Sequence, residues 1–341
     1  MTSSPFISIC ILSYNRPETL SRLLGTIDTK KCEDVEIIVC EDFSPRRNEI
    51  AKVVDGFSRS SAFKTRYLEN ERNLGFDRTL SKLLESASGD WVIFMGDDDE
   101  FVPGALDKMW CFLRSNPGLG YVMKSHYLLH ENRAPEKFRY FKKTTFFPKG
   151  KETYVNLFRR SVFIAGFTIR RKFSNSFITD QFDGTMLMQL YLLAEVTLRH
   201  PAAYFDEPFT QQYASHAHNL KDVMFDRDNQ KFISRRPTLD ISLKFLKSFS
   251  EITSFIDQKY SIQSTSQIKR DMSKYFYPSL SVHRDAGRIV FLKYVKELNK
   301  LGFNVTAYYY IYVLLLLIFG RRLCDFGIYM IKRILGYTPQ L

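Results

Sequence analysis

Several short motifs that mark well-known kinds of site are missing from the 341 residues of this sequence. There is no GxGxxG or GxxxxGKS/T run, which excludes the usual glycine-rich loops for nucleotide phosphates. The absence of GxSxG and HExxH excludes the common serine-hydrolase and zinc-protease patterns. If this chain binds a nucleotide diphosphate, a metal ion must therefore neutralise the phosphates in place of a glycine-rich loop.

Cysteine is scarce and irregularly spaced. The five cysteines include no CxxC pair, and Cys10 and Cys40 lie inside apolar runs, where a reduced thiol behaves as a small hydrophobe. This pattern predicts a reducing compartment and no structural zinc. The formal net charge of +12 suits an anionic partner, but no zinc finger or RRM-type signature is present. The sequence therefore argues against nucleic acid as the partner.

Apolar runs long enough to cross a bilayer are also lacking. The run from Phe6 to Leu12 has no preceding Lys or Arg, so it predicts a first strand and no signal peptide. Residues 301–319 contain ~14 uninterrupted apolar positions, whereas about 20 are needed to span a membrane. They predict a short span, a re-entrant segment or a buried helix. The basic, amphipathic end of the chain suits a helix lying among lipid headgroups. We therefore expect residues 301–341 to contact a membrane surface; packing on the rest of the protein and an oligomer interface are the alternatives.

Strands and helices alternate in the first part of the chain. This predicts βαβ units and a mostly parallel, Rossmann-like α/β sheet flanked by helices. The predicted strands are 6–12, 35–40, 65–68, 91–95, 120–126, 162–169 and 203–205, and the predicted helices are 19–27, 49–58, 76–87, 103–114 and 186–196. Residues 131–151 read as a surface excursion. After about residue 215 only helical patterns follow, at 236–258, 264–277 and 286–300. The predicted divisions are 1–215, a helical region 216–300 and the membrane-associated segment 301–341.

The run WVIFMGDDDEF, residues 91–101, places four acids directly after a buried strand. Two unit charges ~4 Å apart repel by about 1 kcal/mol in water and by about 4 kcal/mol at an effective dielectric of about 20. A divalent cation removes this cost, because carboxylate oxygens are the ligands that Mg²⁺ or Mn²⁺ prefers. A solvated turn is the alternative. Glu41 and Asp42 also follow a strand, and we expect them to approach Asp97–Asp99, because ligands bind at the carboxyl ends of such sheets.

Three stretches, in this order and spacing, carry a resemblance to a known family: ISICILSYNRPETLSRLL, VEIIVCEDFSP and NERNLGFDRTLSKLLESASGDWVIFMGDDDEFVPGAL, followed by an acid before a helix near 180–184. The sequence resembles the family 2 glycosyltransferases with the GT-A fold over residues 5–125, and more weakly to about 213. NLGFDR and the later FDGTM stretch look most like the branch containing abequosyltransferase-type enzymes of bacterial surface polysaccharide synthesis. The resemblance implies a metal-dependent, inverting transfer of a sugar from a nucleotide-sugar donor.

The resemblance also implies which residues bind the donor. The implied nucleotide-binding residues are Leu12, Ser13, Tyr14, Arg16, Glu41, Asp42, Asn73, Gly75, Asp77, Arg78, Asp97 and Asp98. The run Asp97–Asp99 resembles the DXD motif, and Asp99 with Asp97 is expected to hold Mn²⁺ or Mg²⁺. Aligning the motif on Asp98 and Asp99 instead puts Gly96 where the family often has its first Asp. Glu41 departs from the usual Asp, so UDP, CDP, GDP and dTDP all stay open.

Inverting transfer requires a general base that takes the proton from the acceptor hydroxyl. In this family the base is an acid at the start of a helix, and Asp183, followed directly by Gly184, fits that place. Asp180 is the second candidate, and capping of the helix is the alternative role for either. His200, His216 and His218 are candidates for an extra metal ligand.

The predicted partners are a nucleotide-sugar donor and a lipid-linked glycan acceptor, at the cytoplasmic face of the inner membrane. An oligomer is possible. A non-catalytic nucleotide-sugar-binding or scaffold protein on the same fold is the alternative function, since fold alone does not guarantee activity. A two-metal hydrolase is not favoured, because no further acids or histidines cluster near the acid run.

Overall fold

Four strands form the parallel half of a sheet: β1 (Ile7–Ser13), β2 (Val35–Glu41), β3 (Lys64–Glu69) and β4 (Trp91–Gly96). β1, β2 and β4 are buried and mostly apolar, whereas β3 is half-buried with exposed ends. They lie side by side in the order β3-β2-β1-β4. All residues of β2 and β4 are buried, as expected for parallel strands covered on both faces. The predicted parallel, α/β character of this region is confirmed.

The computed structural model of the protein describes residues 4–130, 133–213, 223–226, 231–234 and 238–335. It divides into two units, Met1–Ile233 and Ser234–Leu341. The predicted boundary at residue 215 falls on a stretch outside the described residues, and the division into two units comes at residue 233.

Four amphipathic helices follow the parallel strands in alternation. They are α1 (Pro17–Gly25), α2 (Arg47–Ser60), α3 (Gly75–Ser86) and α4 (Ala105–Ser115). Proline stands at the first position of α1, where its missing N–H costs nothing. The leucines of α1 pack with β1, β2 and β4 in one core cluster. The helices therefore fix the four strand ends at one edge of the sheet.

The rest of the sheet is mixed in direction. Its strands are β5 (Glu100–Phe101), β6 (Tyr121–His130), β7 (Arg133–Phe138), β8 (Thr145–Phe147), β9 (Phe167–Arg170) and β10 (Ala202–Tyr213). The order is β3-β2-β1-β4-β9-β6-β10-β5, with β7 on β6 and β8 on β10. β9 is antiparallel to β4 and β6, so β6 and β4 point the same way. The helices of this part are α5 (Lys151–Phe158), α6 (Arg171–Ser174) and α7 (Met188–Arg199).

Three secondary-structure predictions are wrong. Strands β7 and β8 lie within 131–151, where a surface excursion is predicted. The predicted strand 162–169 is reduced to Phe167–Arg170, because Gly166 adopts a φ of 76° that interrupts an extended run. Within the predicted helical region, Val223–Asp226 (β11) and Lys231–Ser234 (β12) pair as strands.

The second unit is helical. Its helices are α8 (Leu239–Tyr260), α9 (Thr265–Lys274), α10 (Tyr277–Asp285), α11 (Arg288–Lys300) and α12 (Ala307–Leu335). The predicted helix 264–277 ends early, and Pro278 stands in the first turn of α10. Helix α12 is interrupted at Gly320, with φ 72° and ψ 176°. Across the described ranges, none of the helices combines the length and apolar character that a membrane crossing requires.

Candidate active site

The carboxyl ends of β1, β2 and β4 meet around the loop that follows β1. The amide of Asp42 donates to the carbonyl of Ser13 (3.1 Å), and the amide of Tyr14 donates to Oδ2 of Asp97 (2.9 Å). Half-buried Leu12 pairs in register with Gly96 on one side and with β2 on the other. The predicted approach of the second-strand acids to the acid run is therefore present, with the end of β1 between them.

Arg16 lies over the first two acids of the run. Its guanidinium forms an ion pair with Asp97 and lies 2.5 Å from Oδ2 of Asp98. Asp97 is fully buried, and its two oxygens face Arg16 and the amide of Tyr14. Asp97 thus fixes the loop after β1 by holding the amide of Tyr14 and the guanidinium of Arg16.

Asp98 and Asp99 converge above Gly96. A Cβ built on Gly96 would lie 3.0 Å from Oδ1 of Asp98 and 3.8 Å from Oδ2 of Asp99. Glycine therefore leaves open a space that two carboxylate oxygens face, and this donor set suits Mg²⁺ or Mn²⁺. Among the described residues, no group of three or more His, Cys, Asp and Glu side chains forms a metal site. A cation held here therefore takes its remaining ligands from water and substrate, as Mg²⁺ commonly does.

Glu41 is fully buried and organises its own loop. Its carboxylate accepts the amides of Phe43 (3.0 Å) and Ser44 (2.5 Å), and Nε of Arg47 lies 3.8 Å away. Phe43 has a φ of 58° and is exposed. The carboxylate thus stabilises a strained turn whose aromatic side chain points outward at the edge of the sheet.

Asp42 occupies the N-terminus of α3. Its carboxylate accepts the amides of Leu74 (2.6 Å) and Gly75 (2.8 Å) and the side-chain amide of Asn70 (2.8 Å), while Asn73 donates to its backbone carbonyl (3.0 Å). Burial raises the pKa of Asp42, and these hydrogen bonds oppose the shift. Gly75 has a φ of 78°, which favours glycine. Asn73 and Gly75 therefore contact Asp42, and Asn70 is a site-forming residue that the sequence analysis missed.

Asp77 likewise accepts backbone amides at the start of α7. Its carboxylate accepts the amides of Met186 (2.8 Å) and Met188 (3.0 Å), more than a hundred residues along the chain. Burial raises the pKa of Asp77 to about 6, and the nearby charge of Asp183 adds to this. The helix begins at Met188, so neither candidate base is its N-cap. The capping alternative for Asp180 and Asp183 is therefore wrong, because Asp77 fills that role.

Arg78, the neighbour of Asp77, holds the candidate base. Its Nε donates to Oδ2 of Asp183, and its Nη2 lies 4.0 Å from Asp180. The side chain of Asp183 is 16% exposed, whereas that of Asp180 is 82% exposed. Asp183 is therefore the fixed carboxylate of the two.

A buried lysine next to the acid run escaped the sequence analysis. Nζ of Lys124 donates to Oγ1 of Thr210 (2.9 Å). Burial lowers the pKa of Lys124, and the negative charge of Asp99 opposes the shift. The signal was a lone lysine within the strand pattern YVMKSHY. The candidate metal ligand His200 instead stacks on Phe173 with ring centroids 3.5 Å apart, and His216 and His218 lie outside the described residues.

The sequence is similar to those of known glycosyltransferases. The sequence profile described as Glycosyl transferase family 2 matches residues 8–175. A Campylobacter jejuni GalNAc(5)-diNAcBac-PP-undecaprenol beta-1,3-glucosyltransferase is 26% identical over 134 residues, which are 39% of this chain and 42% of the relative. Abequosyltransferase RfbV of Salmonella typhimurium is 29% identical over 109 residues, 32% of this chain and 33% of the relative. The chain thus matches less than half the length of either relative.

Solved structures share the fold. S. aureus TarS aligns with a TM-score of 0.57 at 13% identity, over 86% of this chain and 50% of TarS. TarS 1–349 in complex with UDP-GlcNAc aligns with a TM-score of 0.55 at 12% identity, over 98% of this chain and 93% of that chain. The predicted GT-A architecture is confirmed.

Proposed function

Since residues 8–175 belong to the family 2 glycosyltransferases, we propose that the protein moves a sugar from a nucleotide-sugar donor to a lipid-linked glycan acceptor in bacterial surface polysaccharide biosynthesis, such as O-antigen or capsule. The observation that carries the proposal is the convergence of Asp98 and Asp99 over Gly96, at the carboxyl edge of the sheet. Ligands of open α/β sheets bind at this edge.

Asp98 and Asp99 are the proposed ligands of Mn²⁺ or Mg²⁺. Such a cation neutralises the phosphates of the leaving nucleoside diphosphate when it is bound. Asp97 is the alternative ligand; both its oxygens hold Tyr14 and Arg16, whereas Asp98 pairs with Arg16 through Oδ2 and turns Oδ1 toward Gly96.

The donor's base and ribose are assigned to the strand ends. Ser13 and Tyr14 stand at the end of β1, and Glu41 and Asp42 form the adjacent wall through the backbone amides that their carboxylates hold. The complex of TarS with UDP-GlcNAc makes a uridine nucleotide the first to test. CDP, GDP and dTDP stay open.

Asp183 is the proposed general base, and the transfer is proposed to be inverting. Arg78 orients its carboxylate, and Asp77 fixes the chain that follows it. A base has to be held at a defined position to take a proton from the acceptor hydroxyl. Asp180 is the alternative, being the more exposed acid near the same arginine.

The acceptor is proposed to be lipid-linked, and the protein is proposed to bind it at the cytoplasmic face of the membrane. The first half of α12 exposes an apolar surface formed by Tyr308, Ile311, Leu314, Leu315, Ile318 and Phe319. On α11, Ile289 and Leu292 are exposed between the exposed cations Arg288 and Lys293. Apolar faces bordered by basic residues suit helices that lie in the headgroup region of an anionic membrane.

Calorimetric titration tests the donor site. UDP, CDP, GDP and dTDP are each titrated with and without Mn²⁺, and one of them should bind tightly only with the metal. Gly96→Ala should weaken the metal-dependent binding, because its Cβ enters the space that Asp98 and Asp99 face. Gly25→Ala is the matched control, since nothing lies within 4 Å of its Cβ. Absence of binding for all four nucleotides would overturn the proposal.

A further inference from the structure

Phe43, which follows Glu41 and Asp42 at the end of β2, is a large apolar residue in an unfavourable position. Its φ is 58°, and its side chain is 47% exposed. A positive φ is uncommon for residues other than glycine, and for a bulky residue it marks a turn under strain. Glycine adopts the same conformation without that cost. The turn alone therefore does not explain a phenylalanine here.

The neighbours of Phe43 hold the strained turn in place. The buried carboxylate of Glu41 accepts the amides of Phe43 and Ser44. The side-chain amide of Asn73 donates to the carbonyl of Asp42, directly before the turn. Strained backbone persists only where its surroundings determine it in this way, and such positions cluster at ligand sites. The strain therefore directs attention to what the ring contacts.

Arg47 covers one face of the Phe43 ring. Its guanidinium carbon lies 5.0 Å from the ring centroid, and its Nη2 pairs with Glu69 at 2.8 Å. A cation–π contact at an exposed position contributes less than the strain of a bulky left-handed residue costs, so this contact does not account for the phenylalanine. Because about half of the side chain is exposed, the face of the ring away from Arg47 is open.

A second aromatic side chain borders the same two acids. Ser13 of β1 pairs in register with Glu41, so Tyr14 follows at the level of Asp42 on the neighbouring strand. Burial raises the pKa of the Tyr14 hydroxyl to about 12, and the charges of Asp42 and Glu41 add to the shift. Tyr14 and Phe43 thus belong to the two strand ends to which the base and ribose are assigned. Aromatic side chains bind bases by stacking, since every base has a π-face.

We propose that the open face of Phe43 stacks on the base of the donor nucleotide, while Arg47 supports the ring from the other side. The inference rests on the proposed function, and it adds Phe43 to the donor site as a base-binding residue. It also gives a reason for the strained turn at the end of β2, because that turn directs the ring outward.

Calorimetric titration of the full chain compares two ligands in the presence of Mn²⁺. One is whichever of UDP, CDP, GDP and dTDP binds the wild type, and the other is inorganic pyrophosphate, which has no base. Phe43→Leu keeps an apolar side chain without the ring, so it should weaken nucleotide binding about ten-fold and leave pyrophosphate binding unchanged. Phe43→Tyr keeps the ring and should bind the nucleotide as the wild type does.

Phe43→Gly is a second ringless variant, in case Phe43→Leu does not fold. It should show the same loss of nucleotide binding, and its backbone is suited to a φ of 58°. Phe146→Leu is the matched control for removal of an exposed ring, since Phe146 is 56% exposed on β8. Ser261→Gly is the control for the backbone change, because Ser261 has a φ of 52° at the end of α8. Neither control should alter nucleotide binding.

Unchanged nucleotide binding in both ringless variants would overturn the inference. An equal loss of pyrophosphate binding, or a loss that Phe43→Tyr shares, would overturn it as well, because either result means that Phe43 only supports the loop. In all these cases the wild type still binds a nucleotide, and the proposed function stands. If the wild type binds none of the four nucleotides, the proposed function itself fails.

Discussion

Asp77→Ala removes the acceptor that holds the start of α7. The amides of Met186 and Met188 lose their partner; the hydrogen bond of Met188 is buried, whereas that of Met186, an exposed residue, is only partly buried. A buried donor left without a partner costs about 1–3 kcal/mol and a partly exposed hydrogen bond contributes about 0.5–1.5 kcal/mol, so we expect the free energy of unfolding to fall by about 1.5–4.5 kcal/mol at pH 7. Asp55→Ala is the matched control: its carboxylate pairs on the surface with Arg59, one helical turn away, so its removal should cost at most about 0.5 kcal/mol.

The pKa of Asp77 predicts how the cost of Asp77→Ala changes with pH. The folded-state pKa of Asp77 is about 6, above the ordinary 3.8, so the folded protein gains stability as Asp77 takes up a proton. Each pKa unit corresponds to about 1.4 kcal/mol, so the full effect is about 3 kcal/mol, of which more than about 1 kcal/mol develops between pH 7 and pH 5. The cost of Asp77→Ala should therefore grow as the pH falls.

Urea unfolding of wild type and both variants at pH 7, 6 and 5 measures these differences. Hydrogen exchange over residues 183–190 measures the local effect, and exchange there should accelerate in Asp77→Ala alone. The reasoning is refuted if Asp77→Ala costs no more than Asp55→Ala, or if its cost shrinks toward pH 5.

Three further predictions concern function. Asp99→Asn should abolish sugar transfer and weaken metal-dependent nucleotide binding at least ten-fold, as judged by calorimetry. Asp183→Asn should abolish transfer while donor binding persists; near-normal turnover would instead direct the test to Asp180. Leu314→Glu combined with Ile318→Glu should reduce co-sedimentation with anionic vesicles, because it puts two charges on the apolar surface of α12.

Control substitutions separate these effects from a general loss of stability. Asp28→Asn removes an exposed carboxylate and should leave nucleotide binding unchanged. Ser254→Glu with Gln258→Glu adds the same two charges to exposed positions of α8. If this pair lowers vesicle binding as much as the α12 pair does, the proposed membrane surface is wrong.

The parallel half of the sheet is readable from the sequence because its signals are local. Strands such as Val35–Glu41 are fully buried and mostly apolar, with the run IIVC at the centre, and a turn follows directly. Strand β7 has the sequence RAPEKF, with charged residues and a proline among its six positions, so it lacks that apolar signal. The run 162–169 misleads because composition does not reveal the backbone turn at Gly166.

Only part of the candidate site can be predicted from the sequence, because many of its contacts are not local. That the acids share one edge follows from topology, and the structure bears this out. The hydrogen-bond partners of individual acids cannot be predicted from topology, because they are distant in sequence. Arg78 pairs with Asp183 across 105 residues, and Asp77 accepts the amide of Met188 across 111. The proximity of Lys124 to Asp99 could not be predicted either, because it depends on the register of β6 in the sheet.

The carboxylates that close α3 and α7 have a consequence for the order of binding. A helix N-terminus is a ready-made anion site, but Asp42 and Asp77 already fill these two. An incoming diphosphate therefore finds neither helix dipole available and meets the negative charge of Asp98 and Asp99 besides. We expect the cation to arrive before the donor or together with it, so that free nucleotide is a poor competitor when divalent metal is withheld.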